Sequence, residues 1–354
     1  MNKKLYLENG YLNVDYVFNV ARRNNCFTII AVGGRGTGKT FGVLQYMLIH
    51  KLKFMYMRRT QTQLDLIKKK EYSPFISLNN VMGTTIEQFP ITKYSSSIYE
   101  SEINEKGKVV PKGDLLGLTA ALSTFSNIRS FDASYIKALV YDEFIGEAHE
   151  RPIKEESNAF YNAIETVNRN RELSGEDPLL VVMLANSNNV SNPYFLSMKL
   201  VSVVEKMMKS GQEMYFDHNR RIMLLNLTNS PISKLKSETM LYKLTAGSDF
   251  FDMAINNSYT NLCRDAVSQE DLKQYKIQYV VGELAIYKHK SQGIYYVSTH
   301  ISGTPKKIYP ANVNGLREFR AKHHILWMKY CVNKILFETY TQQVLFEKYY
   351  KGVI

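Results

Sequence analysis

Cysteine is scarce and unpatterned in this chain. Three occur in 354 residues, Cys26, Cys263 and Cys331, odd in number and far apart. That spacing excludes a disulfide framework, a zinc finger and a C-x-x-C redox pair, and it fits a reduced, intracellular setting. No apolar run approaches the roughly 18 residues that would cross a bilayer. Lys3 and Lys4 are followed by Glu8, Asn9 and Gly10, which interrupt the apolar core a signal peptide needs. The expectation is a soluble protein that is not exported and has no membrane partner. Internal repeats and low-complexity tracts are also missing, which excludes solenoids and disordered tails. Acidic residues are the remaining deficit: 33 Asp and Glu stand against 45 Lys and Arg, for a net charge of +12. Residues 259–354 carry 14 basic and 7 acidic side chains, so +7 of that charge lies there. A polyanionic partner, nucleic acid above all, is the expected consequence.

What is present is a phosphate loop. Gly33-Gly34-Arg35-Gly36-Thr37-Gly38-Lys39-Thr40 fits G-x-x-x-x-G-K-[ST], the Walker A pattern. It follows the apolar, β-branched run 27–32 and precedes the helix-like stretch 41–50, which is the context the chemistry requires. Glycines let backbone N–H groups turn toward phosphate oxygens at a helix N-terminus. In this pattern Lys39 reaches the β- and γ-phosphates and Thr40 holds Mg²⁺. The cofactors expected are therefore ATP and Mg²⁺, with adenine favoured over guanine because no N-K-x-D guanine reader is visible.

Residues 1–228 alternate apolar strand-like runs with helical patterns, which predicts an α/β domain with a mainly parallel sheet. The candidate strands are 27–32, 53–57, 114–119, 136–141 and 179–185, with an exposed hairpin tip at 102–108. Residues 229–258 read as a short helical linker. Beyond them, 278–287 and 293–299 alternate as strands around a hairpin at 288–292, and 321–350 reads as a closing helix. The run Ala138-Leu139-Val140-Tyr141-Asp142-Glu143 is a buried strand ending in two carboxylates. Asp142 is placed to hold Mg²⁺ and Glu143 to accept a proton from the attacking water. The distance along the chain from Thr40 to Asp142 suits the P-loop NTPases with an additional strand and a catalytic glutamate (ASCE). Leu180–Ala185 ends in Asn186-Ser187-Asn188-Asn189, where Asn186 can orient water or sense the γ-phosphate and the rest form a turn. A helix over 155–171 ends in Asn168-Arg169-Asn170-Arg171. Two residues apart on a helix means about 200°, so one site cannot receive both arginines. Arg58 and Arg59 follow a strand near the nucleotide edge, and Arg129 precedes the acid strand.

The Walker A run, Tyr56-Met57-Arg58-Arg59, Val140-Tyr141-Asp142-Glu143-Phe144, Thr166-Val167-Asn168-Arg169-Asn170-Arg171-Glu172 and the Asn186 to Phe195 stretch occur in this order. Together they resemble the genome-packaging ATPases of small short-tailed, protein-primed double-stranded DNA phages, best over residues 20–200. The resemblance implies an ASCE ATPase domain (1–228), a short linker (229–258) and a smaller, degenerate RNase H-like α+β domain (259–354) that touches nucleic acid or the portal. It implies a ring, of five copies in that family, at the capsid portal in the host cytoplasm, driving double-stranded DNA inward. A packaging RNA is left open. Arg169 becomes the arginine finger acting across subunits, with Arg129 a second candidate, and Arg58 matches an arginine near the nucleotide. The family's Arg-Arg-aromatic-Lys is Arg58-Arg59-Thr60-Gln61 here, so no lysine role passes to Gln61. Two other readings compete: a large terminase with a working nuclease, and a nucleotide-switched DNA-binding assembly protein. The strands of the second domain offer only Glu283, against the first. Glu143 argues against the second.

Overall fold

Apolar runs with no polar interruption must be buried on both faces, and in this chain they become the centre of a parallel sheet. The structure is a computed structural model that describes residues 4–128, 132–146, 150, 153–186, 192–245 and 266–351. In chain order the first elements are α1 (Val14–Arg23), β1 (Thr28–Val32), α2 (Lys39–Ile49), β2 (Phe54–Arg58), α3 (Gln61–Ile67) and α4 (Ile76–Met82). There follow β3 (Ile86–Thr92), β4 (Ser95–Ile103), β5 (Val109–Ala121), β6 (Ala138–Asp142), α5 (Glu156–Asn168) and β7 (Leu180–Ala185). After α6 (Pro193–Ser197) and α7 (Val201–Ser210) come β8 (Met214–Asp217), β9 (Ile222–Asn226), α8 (Pro231–Ser237) and α9 (Met240–Leu244). Two compact units result: Met1–Asn189 with Met207–Thr260, and Val190–Lys206 with Asn261–Ile354.

The first unit holds a nine-stranded sheet in the order β3-β4-β5-β2-β6-β7-β1-β9-β8. From β5 to β9 every pairing is parallel. β7 lies between the loop strand β1 and the acid strand β6, in register with both (Val32 beside Ala185, Asp142 beside Leu184). All three therefore end at one edge, where ligands bind in open α/β sheets. Every residue of β2 and β6 is buried. Helix ends carry their own signals: Asn13 caps α1, accepting from the Tyr16 N–H at 3.2 Å, and Thr60 and Gln63 form a capping box on α3.

Two strands, β3 and β4, lie where no strand is expected from the sequence. They add antiparallel to β5 at the sheet margin. Ser95 and Ser96 are buried there all the same, so the Ser95-Ser96-Ser97 run is inside the sheet without carrying an apolar signal. The strand expected at 114–119 extends over Val109–Ala121, because its first half pairs with β4 rather than β2. The helix expected at 155–171 stops at Asn168, since Arg169 and Asn170 take φ of 45° and 50°. The described part of 229–258 forms α8 and α9, and both belong to the first unit.

The second unit contains β10 (Tyr275–Val281), β11 (Leu284–His289), β12 (Tyr295–Ser298), β13 (Lys307–Tyr309), α10 (Val313–Lys322), α11 (His324–Cys331), β14 (Ile335–Phe337) and α12 (Tyr340–Lys351). Its sheet runs β13-β10-β11-β12-β14, antiparallel through the three middle strands and parallel at both margins. Residues 278–287 are thus two strands and not one: Gly282, at φ +53°, and Glu283 turn the chain back, with positive φ at the first position of a two-residue hairpin loop. The hairpin at 288–292 is formed, closed by His289 Nδ1 facing the N–H groups of Ser291 and Gln292. Residues 321–350 do not make one helix. The left-handed Asn333 (φ 53°) ends the helical path, and Ile335–Phe337 pairs with β12 instead. Val281, Leu284, Ile286, Val297, Phe319 and Phe346 form the core of this unit.

Gly117 is where β5 sits between β2 and β4, and a Cβ there would run into the Phe54 carbonyl oxygen. Gly117→Ala is expected to cost about 1–3 kcal/mol, the usual toll of overpacking. A urea unfolding midpoint unchanged from the parent would contradict this packing.

Candidate nucleotide site

The site is built from the ends of β1, β2, β6 and β7. After β1 the chain turns through Gly36 (φ +71°) and Gly38 (φ +84°), left-handed positions that a side chain would strain. Gly38 is the N-cap of α2, so Lys39 and Thr40 open the helix. Lys39 Nζ reaches back to donate to the carbonyls of Gly33 (3.0 Å) and Gly34 (2.8 Å) and to Thr37 Oγ1 (3.1 Å). Its side chain is buried, and this desolvation pulls the ammonium pKa down to about 7 against the opposing pull of Asp142. A buried cation resting on neutral oxygens is suited to receive an anion.

Asp142 closes β6, buried, and three side chains from two elements, α2 and β2, converge on its carboxylate. Thr40 Oγ1 lies 3.1 Å from both Asp142 oxygens, Tyr56 Oη donates to Oδ2 at 2.7 Å, and Arg58 Nη1 donates to Oδ2 at 3.1 Å. A threonine hydroxyl and a carboxylate brought together beside a P-loop form the donor set that suits Mg²⁺, so the residues present fit that ion. Arg58 also pairs with Glu143 through Nη2. Burial works against the Arg58 charge, but Tyr56, Asp142 and Glu143 outweigh it and raise its pKa. Its Nε is buried without a hydrogen-bond partner. Glu143 itself takes φ 53°, unusual for a glutamate, with its N–H directed at Asp142 Oδ1 (3.1 Å). Such backbone strain collects at functional positions. Asn186 leaves β7 at the same edge, half-buried.

Structure therefore brings together Gly33, Gly34, Arg35, Gly36, Thr37, Gly38, Lys39, Thr40, Arg58, Asp142, Glu143 and Asn186. It places Arg169 elsewhere. Asn168 Oδ1 accepts from the Leu179 N–H (2.8 Å), and Arg171 Nη2 donates to the Ile136 carbonyl (2.9 Å), so α5 ends beside the start of β6 and β7. The five residues of β6, at about 3.3 Å each, separate that edge from Asp142 by roughly 13 Å or more. Arg169 is half exposed and pairs with Asp132 at 3.1 Å. Arg129 and Ser187–Asn189 lie outside the described residues. Gln61 is occupied locally: it accepts from Thr124 Oγ1 (2.6 Å) and donates to Asp65 (2.7 Å).

Sequence reasoning gave no role to Tyr56, Glu150, Glu156 or Lys236. Tyr56 could have been found, since residues 56 and 58 of one strand face the same side. Arg59, its buried partner Glu156 (2.7 and 3.0 Å) and Glu150 (2.8 Å) tie the end of β2 to the start of α5, and no local pattern announces that pairing. Lys236 of α8 donates to the Arg35 carbonyl on the loop.

The two arginines at the end of α5 have separable roles. Arg171 is buried and also donates to the carbonyls of Asn168 (3.0 Å) and Val167 (2.9 Å), capping the helix. Arg171→Met should cost about 1–3 kcal/mol by leaving buried carbonyls unpaired. Arg169→Ala should cost no more than about 1 kcal/mol, because it breaks an exposed pair. Urea denaturation of both variants checks this, and equal losses would contradict the assignment.

A family model described as podovirus DNA encapsidation protein (Gp16) matches residues 9–348. The DNA packaging proteins of Bacillus phages PZA and phi29 are each 25% identical over 297 residues, covering 81% of this chain and 79% of theirs. Among solved structures, the phi29 viral genome packaging motor assembly matches with a TM-score of 0.65 at 16% identity, over 99% of this chain and 100% of the other. The phi28 gp11 DNA packaging motor matches with a TM-score of 0.61 at 18% identity, over 94% and 96%. These structural likenesses bear on the fold. The family match, running almost from end to end, decides membership: the chain belongs to the podovirus DNA encapsidation protein (Gp16) family.

Proposed function

We propose that this protein is an ATP-hydrolysing motor that moves double-stranded DNA into a preformed capsid. The observation that carries the reading is the cluster Thr40–Asp142–Arg58–Glu143 beside the loop, in a family of DNA encapsidation proteins. The loop N–H groups and Lys39 bind the phosphates, Thr40 and Asp142 hold Mg²⁺, and Asn186 orients water or senses the terminal phosphate. Mg²⁺ held there would offset the charge that develops on the phosphate oxygens. Glu143 accepts the proton of the attacking water. A carboxylate engaged by a guanidinium is a poor base, so Arg58 must release Glu143 before hydrolysis.

Arg169 cannot serve the site of its own subunit from the far edge of the sheet. Its exposure there supports a finger supplied to a neighbour, and hence a ring, of five copies by the family resemblance. Arg129 stays a second candidate. The second unit, with its basic excess, is read as a degenerate RNase H-like domain that contacts DNA or the portal. A packaging RNA stays open as a partner, and the site of action is the capsid portal in the host cytoplasm. A working nuclease needs acids gathered around metals. Among the described residues no three His, Cys, Asp or Glu side chains gather that way. Glu338 instead accepts from Ser298 Oγ (2.6 Å), and Glu318 pairs with Lys307 and Lys322. This disfavours the terminase with active nuclease, and Glu143 disfavours a pure nucleotide switch.

Glu143→Gln is expected to keep Mg-ATP binding while steady-state hydrolysis falls at least about 100-fold, the low end for a positioned base. Lys39→Ala should lose binding itself. Full ATPase activity in folded Glu143→Gln protein would sink the assignment.

Mixing separates action in trans from action in cis. Arg169→Ala and Glu143→Gln subunits should each be nearly inactive alone, since a finger is worth roughly 10³–10⁵ in rate. Mixed rings contain interfaces with an intact glutamate and an intact arginine, so partial ATPase activity should return. Mixed rings that form and recover nothing would place Arg169 outside catalysis in trans.

A further inference from the structure

We propose that Lys236 is a second phosphate-contacting cation of the nucleotide site, delivered by α8 and selective for the terminal phosphate of a nucleoside triphosphate. The proposal rests on the reading of the P-loop as a nucleotide site and adds a residue that the Walker A pattern does not contain.

Lys236 lies on the loop itself. Its Nζ donates to the Arg35 carbonyl, and a Cβ added to Gly36 would lie 2.5 Å from Nζ and 2.9 Å from Cε. Gly36 is required by its φ of +71°, and the end of the lysine side chain rests against it. The helix that carries Lys236 starts from a fixed point. Leu227 N–H donates to the Val32 carbonyl (2.8 Å) at the end of β1, Ser230 N–H donates to the Leu227 carbonyl (3.3 Å), and Ser230 Oγ donates to the Gly10 carbonyl (3.4 Å). Pro231 then opens α8 at a position where its missing N–H costs nothing. The loop and α8 are therefore both hung from the end of one strand.

The chemistry of the contact points to an anion. Lys236 has no carboxylate partner among the described residues, and its only recorded acceptor there is a neutral carbonyl. Burial and the nearby Arg35 guanidinium hold its ammonium below the ordinary lysine range. Its charge is also felt at Lys39. Two ammonium groups on consecutive carbonyls, Lys39 on Gly34 and Lys236 on Arg35, repel each other until an anion lies between them. Lys39 serves the β- and γ-phosphates in this loop type. Lys236, one residue further round the loop, takes the terminal group, so that loss of that phosphate releases α8 from the loop.

The test is calorimetric titration of the full-length Glu143→Gln protein with Mg-ATP and, separately, Mg-ADP. Lys236→Ala should weaken ATP binding about tenfold, about the worth of one charge-assisted hydrogen bond, and ADP binding less than about twofold. Lys236→Gln keeps a donor for the Arg35 carbonyl without the charge, and should show the same ATP-selective loss. Lys236→Arg should restore ATP affinity to within about threefold. A properly folded Ala or Gln variant that binds ATP like the parent, or that loses ATP and ADP equally, overturns the proposal and leaves Lys236 a strut for the loop. A parent that binds neither nucleotide overturns the nucleotide site and this proposal with it. A parent that binds both, with Lys39→Ala binding neither, upholds the site whatever Lys236 does.

Discussion

One buried carboxylate organises the working edge of this protein. Asp142 receives the Thr40 hydroxyl from the loop helix, the Tyr56 hydroxyl from the middle of β2 and the Arg58 guanidinium from its end. Burying a carboxylate unpaired would cost several kcal/mol, so these partners are conditions for β6 ending where it does. The same contacts pin the loop to the acid strand although β7 lies between them in the sheet. Glu143 takes its place from that junction, through its own N–H on Asp142 and its pairing with Arg58.

Adjacent arginines split the site from its support. Arg58 faces Asp142 and Glu143, while Arg59, one residue on and so on the opposite face, holds Glu156 and Glu150. A Cβ on Gly146 would lie 2.8 Å from the Arg59 guanidinium carbon, so the chain after Glu143 passes directly over that clamp. Whatever moves Arg58 away from Glu143 therefore acts next to the residue that anchors the start of α5. At its other end α5 carries Arg169. A single helix joins the chemistry at one edge of the sheet to an exposed arginine at the other.

Much of this was legible in sequence, and the reasons are physical. A buried parallel strand shows itself as an unbroken apolar run, and the polar residue that ends it marks the functional edge. That made β1, β6, β7, Asp142, Glu143 and Asn186 readable. The margin strands β3 and β4 carry no such signal, since serines fill buried places in β4. Apolar spacing over 321–350 suggested one helix because the residues on either side of Ile335–Phe337 do form helices. Only the pairing of Ile335 and Phe337 with Tyr295 and Val297, distant in sequence, makes them a strand. Tyr56 stood in the sequence only within the family-like run Tyr56-Met57-Arg58-Arg59, with no role of its own, and it is also buried core. Lys236 sat in the stretch that reads as a helical linker, and its meaning depends on a fold that brings α8 to the end of β1.

The central claim is that hydrolysis at the Asp142 junction powers the movement of DNA. It is tested most directly by incubating the protein with empty capsids, labelled duplex DNA and ATP, then measuring DNA that survives DNase. Parent protein should protect DNA only when ATP is present, and Asp142→Asn protein, matched for folding, should protect none. Protection by Asp142→Asn equal to that of the parent would contradict the account.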